Sequence, residues 1–171
     1  MTQQDNRAAL LQQVLDSVNN WLQFAEAKNA ALIAFNVAVI GVILGSDLYE
    51  KSLLLSSFIV GGFVASTGVV LYAFWPVNKE IEKNRKDVAE NLLHYAYIAT
   101  LTPNEYLEKL AERYWGRMEG QEGESLQLER DYCREIVENA RIIIRKQRCF
   151  KIGLAVVLVM LCLLVVSVIS A

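Results

Sequence analysis

Two sets of residues in this 171-residue chain have types and spacing that could do chemistry. The first is polar and lies in or beside apolar runs: Asn36 in the middle of one, with Glu26 and Lys28 just ahead of it. An amide in hydrocarbon needs a partner or water, so Asn36 either makes an interhelical hydrogen bond or lines a pore or constriction, with Glu26 and Lys28 as companion gate candidates. The second set is cationic and aromatic: Lys79, Arg85, Arg113 and Arg117, with Tyr97, Tyr114 and the single histidine, His94. Cations beside aromatic faces could receive an anionic ligand such as a cyclic or other nucleotide, while the same charges also serve as orientation signal and solvated face. His94 reads as a satisfied helix residue or as a ligand contact or pH sensor.

Other chemistry lacks its residues. There is no phosphate-cradling glycine loop, no nucleophile elbow and no HExxH, and one histidine without a Cys/His cluster makes metal hydrolysis hard to build. Cys133, Cys149 and Cys162 are odd in number and without CxxC spacing, which argues against a disulfide framework or a cysteine-rich zinc site. The expectation is a protein that is not an enzyme, with no resident metal or cofactor. A net charge of −2 gives no basic surface for nucleic acid.

The elements that must position these residues follow from how apolar and charged residues are distributed. Hydrophobic residues make up 54% of the chain, and 28 of the 36 charged residues lie between Pro76 and Lys151. A soluble globule with one core does not segregate charge in this way. Leu53 to Trp75 is free of charge for 23 residues and Ile152 to Ala171 for 20. At about 1.5 Å per residue these are roughly 35 Å and 30 Å long, enough to cross a hydrocarbon core. Ala30 to Gly45 supplies a shorter run of 16, ending in Gly45, Ser46 and Asp47 without a cleavage pattern, and reads as a retained span rather than a signal peptide.

Fourteen Lys/Arg fall between the second and third spans, one (Lys51) between the first two, and two (Arg7 and Lys28) before the first. The positive-inside rule then makes the middle segment and the N-terminus cytoplasmic and puts Ala171 outside. Trp21 and Phe24 before span one, and Tyr72, Phe74 and Trp75 closing span two, sit where interfacial aromatics belong.

The fold expected is an all-α membrane protein: three transmembrane helices with a small cytoplasmic helical bundle between spans two and three. Residues 1–29 form an amphipathic helix, capped by Asp5 or Asn6, with Leu11, Val14, Leu15, Val18, Trp21, Leu22 and Ala25 on one face, lying on the inner leaflet or packed on the bundle. Residues 30–75 form a hairpin of spans, about 30–45 and 53–75. In the module at 76–151, Ile81, Val88, Leu92, Tyr95 and Ala99 mark one helix face, and Thr102-Pro103-Asn104-Glu105 reads as a capping box opening a short helix. Tyr106, Leu107, Leu110, Ala111 and Tyr114 are that helix's buried stripe, broken by Gly116, Gly120 and Gly123. From about Ser125 the pattern of Cys133, Ile136, Val137, Ala140, Ile143 and Ile144 runs without a break into the third span at 152–171.

Small residues mark where helices meet. Gly41 and Gly45 form a GxxxG continued by Ala30, Ala34 and Ala38, and span two carries Ser57, Gly61, Gly62, Ala65 and Ser66. Spans one and two should therefore face other helices, whereas span three, nearly all Leu, Val and Ile, looks lipid-facing. Three spans make no convincing conduit by themselves, so a pore requires several copies.

Trp21-Leu22-Gln23-Phe24-Ala25-Glu26-Ala27-Lys28-Asn29-Ala30-Ala31-Leu32-Ile33-Ala34-Phe35-Asn36 resembles the W-x-x-x-A-D-x-K-A-x-x-L-L-A-x-N segment of Pycsar-type transmembrane effector domains. Thr102-Pro103-Asn104-Glu105-Tyr106-Leu107 is similar to their T/S-P-E-E-Y-L, and Ile142-Ile143-Ile144-Arg145-Lys146-Gln147-Arg148 to their A-x-K-Y-R run. The chain departs at Glu26 for Asp, Asn29 for a small residue and Gln147 for Tyr, which leaves SLATT-type membrane effectors as a neighbouring resemblance. The resemblance implies a bacterial anti-phage effector of the inner membrane that forms a homo-oligomer, answers a nucleotide signal from a companion nucleotidyltransferase or cyclase, and breaches the membrane. The competing expectation is a non-conducting adaptor that docks a soluble partner through its cytoplasmic helices.

Overall fold

The computed structural model describes residues 3–47, 53–75, 89–116 and 127–169. Helices account for almost all of them: α1 (Gln3–Leu44), α2 (Leu53–Tyr72), α3 (Tyr95–Ile98), α4 (Pro103–Leu110) with a π-helical turn at Ala111–Trp115, and α5 (Gln127–Ile169). No strand occurs among the described residues. α1, α2 and α5 are long and apolar enough to cross a membrane. α5 runs without a break from Gln127 to Ile169. α1 is already helical at Gln3, so Asp5 and Asn6 lie inside it rather than capping it.

The chain divides into two compact units, one within residues 1–24 and 78–144, the other within 25–77 and 145–171. In the first, Leu11, Val14 and Val18 of α1 enclose a core with Leu92, Ile98, Leu101, Tyr106 and Leu110, closed by Cys133, Ile136, Val137, Ala140 and Ile143 of α5. The three- and four-residue spacing sets one apolar stripe on each helix, and packing rather than isolated propensity holds them. The N-terminal amphipathic stripe thus packs on the helical module. Polar ties flank the core: Asn139 Nδ2 donates to Asn19 Oδ1 at 3.0 Å, and Arg141 Nη2 to the Leu101 carbonyl at 3.0 Å.

The capping box forms as the sequence predicts. Glu105 N–H donates to Thr102 Oγ1 (3.2 Å) and Thr102 N–H to Glu105 Oε2 (2.7 Å), with Pro103 at the first helical position. The Tyr106 hydroxyl donates to the Leu92 carbonyl at 2.9 Å, so the stripe residue also fixes the segment ahead of it.

Two expectations are corrected here. The helix marked by Ile81, Val88, Leu92, Tyr95 and Ala99 is not formed over its described part: residues 89–94 are non-helical and only Tyr95–Ile98 is helix, with Ile81 and Val88 outside the described residues. Asn91 Oδ1 takes the Leu93 N–H at 2.9 Å, a local turn that competes with the helical bond. Tyr114, expected in the buried stripe, is exposed. The π-helical turn at Ala111–Trp115 adds a residue per turn and rotates Tyr114 out of register with Tyr106 and Leu110. Gly116, at φ +75°, then ends the helix in a conformation suited to glycine; Gly120 and Gly123 lie outside the described residues.

The second unit is a three-helix packing of the spans, with a core of Leu32 and Ile43 from α1, Ile59, Phe63 and Val70 from α2, and Val157 and Met160 from α5. This corrects the purely lipid-facing third span. Val157 and Met160 are buried while Leu158, Val159, Val165 and Val166 remain exposed, so one face of α5 packs and the other faces outward. Gly153 makes the approach possible: a Cβ there would sit 2.7 Å from Val70 Cγ2.

Candidate functional site

The polar residues of the second unit gather where the three spans meet. At one end Glu26 Oε1 pairs with Lys146 Nζ at 3.1 Å, Lys146 being buried and Glu26 half-exposed. The ammonium also lies 4.2 Å from the Phe74 ring centroid, so a carboxylate and an aromatic face share its charge. Beside it Arg145 Nη2 donates to the carbonyls of Ala73 (3.2 Å) and Trp75 (2.8 Å), satisfying acceptors just past the end of α2 with a cation where the helix dipole favours one. Lys28 Nζ stands 5.9 Å from the Phe150 ring centroid.

Deeper in the bundle, Asn29 Nδ2 donates to the carbonyls of Ala25 (2.8 Å) and Lys146 (3.3 Å). Asn36, fully buried, donates through Nδ2 to Ser66 Oγ at 3.0 Å and Thr67 Oγ1 at 3.1 Å. Ser66 Oγ in turn donates to the Gly153 carbonyl at 3.0 Å, linking all three helices through one amide and one hydroxyl. The Oδ1 atoms of both asparagines have no donor among the described residues. Each such orphan acceptor costs about 1–3 kcal/mol.

Of the small residues singled out in the sequence, Ser66 joins this polar cluster and Gly62 packs against Met160, whose thioether occupies the space a Cβ would need. Gly45 N–H bonds back to the Gly41 carbonyl at 3.1 Å at the end of α1. Gly41 and Gly61 meet nothing within 4 Å, and Ala30, Ala34, Ala38, Ser57 and Ala65 are exposed with them.

The anionic-ligand candidates divide. Lys79, Arg85 and Arg117 lie outside the described residues. In the first unit, His94 precedes α3, its Nδ1 accepting the Ala96 N–H at 3.2 Å while its ring lies against Tyr95 and Trp21. Tyr97 has Lys109 Nζ 5.8 Å from its ring centroid. Lys109 bonds Glu90 at 2.9 Å, which holds the Glu90 carboxyl below the usual carboxylate range and raises the Lys109 ammonium. Arg113 contributes a further favourable charge to Glu90. Burial pushes the Cys133 thiol up to about 12 and raises the Tyr106 phenol above its ordinary value.

Sequence reasoning missed Thr67, Gly153 and Lys109, and saw Arg145 and Lys146 only within the run that carries the family resemblance. Lys146 and Arg145 look like any cations ahead of a span, and only the packing separates a buried pair and a helix cap from the charges around them.

No curated protein and no solved structure matches the chain. The model of one family, described as the Pycsar effector protein domain, matches residues 10–171, nearly the whole chain and all three spans. The chain belongs to the Pycsar effector family and is a membrane protein of it.

Proposed function

We propose that this protein is an anti-phage effector of the bacterial inner membrane, which assembles from copies of itself and, under a nucleotide signal from a companion nucleotidyltransferase or cyclase, opens an ion channel or pore. The observation that carries this is the hydrogen-bonded cluster of Asn36, Ser66 and Thr67 in the spans. Polar side chains are expensive in hydrocarbon and are kept there where they serve a pathway or a partner. Family membership supports the effector role.

The outer faces support assembly. Among the described residues nothing lies within 4 Å of where a Cβ on Gly41 or Gly61 would stand, and small residues on membrane helices permit close backbone approach to another helix. The module between the second and third spans and the N-terminus are cytoplasmic in this proposal, with the C-terminus outside. The signal, or a protein bearing it, meets the cytoplasmic side, where His94, Tyr97 and Arg113, with Lys79, Arg85 and Arg117, are the residues to substitute. Asn36, Glu26 and Lys28 are the pore or gate residues to substitute.

The test is twofold. Induction with the cognate signal should collapse membrane potential within the time that growth stops, and purified full-length protein in lipid vesicles should pass ions. Growth arrest with intact potential, silent vesicles and capture of a soluble partner would replace the channel with a non-conducting adaptor.

A further inference from the structure

Counting protons in the second unit leaves two acceptors over. The Ser66 hydroxyl gives its single proton to the Gly153 carbonyl, and the Thr67 hydroxyl gives its own to the Phe63 carbonyl at 2.9 Å. Both hydroxyl oxygens therefore meet Asn36 as acceptors, and the two protons of Nδ2 serve one each. Turning the amide over would set Oδ1 against two oxygens with no proton to give, so the orientation is fixed and Oδ1 is left over. Asn29 repeats the pattern: Nδ2 serves two backbone carbonyls, which accept only, and Oδ1 is buried without a donor among the described residues.

Positions 29 and 36 are two helical turns apart on one face of α1, about 10.5 Å along its axis. Glu26, half-exposed, stands one turn before Asn29 and leads from solvent to the buried Lys146. Between the two asparagines lies Leu32, which with Val70 packs at Gly153. Ile43, Ile59, Phe63, Val157 and Met160 form the rest of the apolar core. Hydrogen-bonding rungs thus alternate with apolar ones, the arrangement in which a constriction gates by wetting and drying.

We propose that water enters this α1–α2–α5 seam of a single chain from the Glu26–Lys146 end and binds the Oδ1 atoms of Asn29 and Asn36, and that the seam supplies the polar lining of the route ions take when the effector acts. The last clause rests on the channel proposed above; the first does not. Water is the occupant because the orphan atoms need a small donor, and the Glu26 carboxylate at that end is already paired with the Lys146 ammonium rather than turned to a cation.

The experiment uses full-length protein in lipid vesicles, with single cysteines added to the native chain and labelling by a permanently charged thiosulfonate read peptide by peptide. The reagent attacks thiolates, which form only in water. Asn36→Cys and the near-isosteric Ser66→Cys should label at least about tenfold faster than Val37→Cys, which is far more exposed on the chain but faces outward from the bundle. Two variants guard against a failure of Asn36→Cys to fold. Silence at both, with Gln23→Cys reactive as the aqueous control, would overturn the hydrated seam. In the same vesicles Asn36→Leu should cut ion flux by about tenfold while Asn36→Ser retains it. Labelling with flux unchanged in Asn36→Leu overturns the lining clause and leaves the channel standing. Absence of flux in the wild-type protein defeats the channel and with it that clause, while labelling still decides whether the seam holds water.

Discussion

Two glycines in the spans allow a differential test of how the second unit is held together. Gly62 and Gly153 both lie inside helices and both pack against a neighbouring helix, so Ala at either gains the same helix propensity, about 1 kcal/mol. They differ in what the new methyl meets. At Gly62 it meets the thioether of Met160, an unbranched side chain with three rotatable bonds that swings aside. At Gly153 it meets Val70 Cγ2 at 2.7 Å, with Ser66 Oγ at 3.3 Å and Leu32 Cδ2 at 3.4 Å. Valine is stiff at χ1 in a helix, so the backbones must part. Overpacking of this kind costs about 1–3 kcal/mol, and parting α2 from α5 also stretches the Ser66 to Gly153 bond, worth about 1 kcal/mol more. Net of propensity, Gly153→Ala should destabilise by about 1–3 kcal/mol and Gly62→Ala should fall within about 1 kcal/mol of neutral. The difference, about 2 kcal/mol, is about thirtyfold in the unfolding equilibrium. Reversible denaturant unfolding of both variants in one detergent, followed by tryptophan fluorescence, reads it directly. Coincident midpoints, or Gly62→Ala as the weaker protein, would refute a tight α2–α5 contact at Gly153.

Glu26→Gln, which keeps an acceptor but removes the negative charge that compensates the buried Lys146 ammonium, should destabilise by about 1–3 kcal/mol, whereas Lys146→Met, which leaves a half-exposed carboxylate able to reach water, should cost about 1 kcal/mol or less; unfolding midpoints in the reverse order would refute the burial asymmetry. Thr102→Ala should cost about 1 kcal/mol and raise amide exchange in Pro103–Leu110, with Glu105→Ala adding little to it because both remove one reciprocal cap. Because burial raises the Cys133 thiol from 9.0 to about 12, the unfolded chain binds fewer protons than the folded one above pH 9, so stability falls as pH rises through that window, by at most about 1.4 kcal/mol per pH unit for this group. Cys133→Ala should flatten that part of the pH profile of unfolding, and an unaltered slope would count against it. Gly61→Phe should leave the unfolding midpoint of the monomer within about 0.5 kcal/mol, since nothing lies within 4 Å of that glycine, yet shift the assembled species in crosslinking or native mass measurements; an unchanged assembly would remove this face from the interface.

What could be read from the residues alone tracks how local its cause is. The three spans follow from charge-free runs, the Thr102 box from four consecutive residues, and the unbroken α5 from an apolar period without glycine or proline up to Gly153. Tyr114 and the 89–94 segment went otherwise because local competitors, a π-helical turn and the Asn91 turn, shift register without changing composition. The candidate site was legible at Asn36, which stands out against its span, and at Glu26 just ahead of it. The Asn36 partners Ser66 and Thr67 are thirty residues away and resemble ordinary small packing residues, and Lys146 finds Glu26 across 120 positions. Pairings at that separation are set by which faces of two helices meet, and apolar faces of similar composition leave many registers open.

The placement of small and polar residues bears on how assembly and opening relate. A bundle built only to rest in the bilayer would put its smallest residues where its own helices touch, as Gly62 and Gly153 are, and large ones outside to gain dispersion contacts with lipid. Gly41, Gly61 and Gly68 break that pattern, since nothing among the described residues of neighbouring helices comes within 4 Å of where their Cβ would be. The polar groups Asn29, Asn36 and Ser66 are instead turned inward and bonded to helices of the same chain. Contacts between copies through the glycine faces would therefore leave the seam intact, and opening the seam would not by itself break those contacts. If the protein acts as the channel proposed above, joining copies and exposing the polar groups are separable steps, so a variant blocked at Gly61 should keep the Asn36 environment of the native chain while losing assembly, and one altered at Asn36 should assemble and fail afterwards.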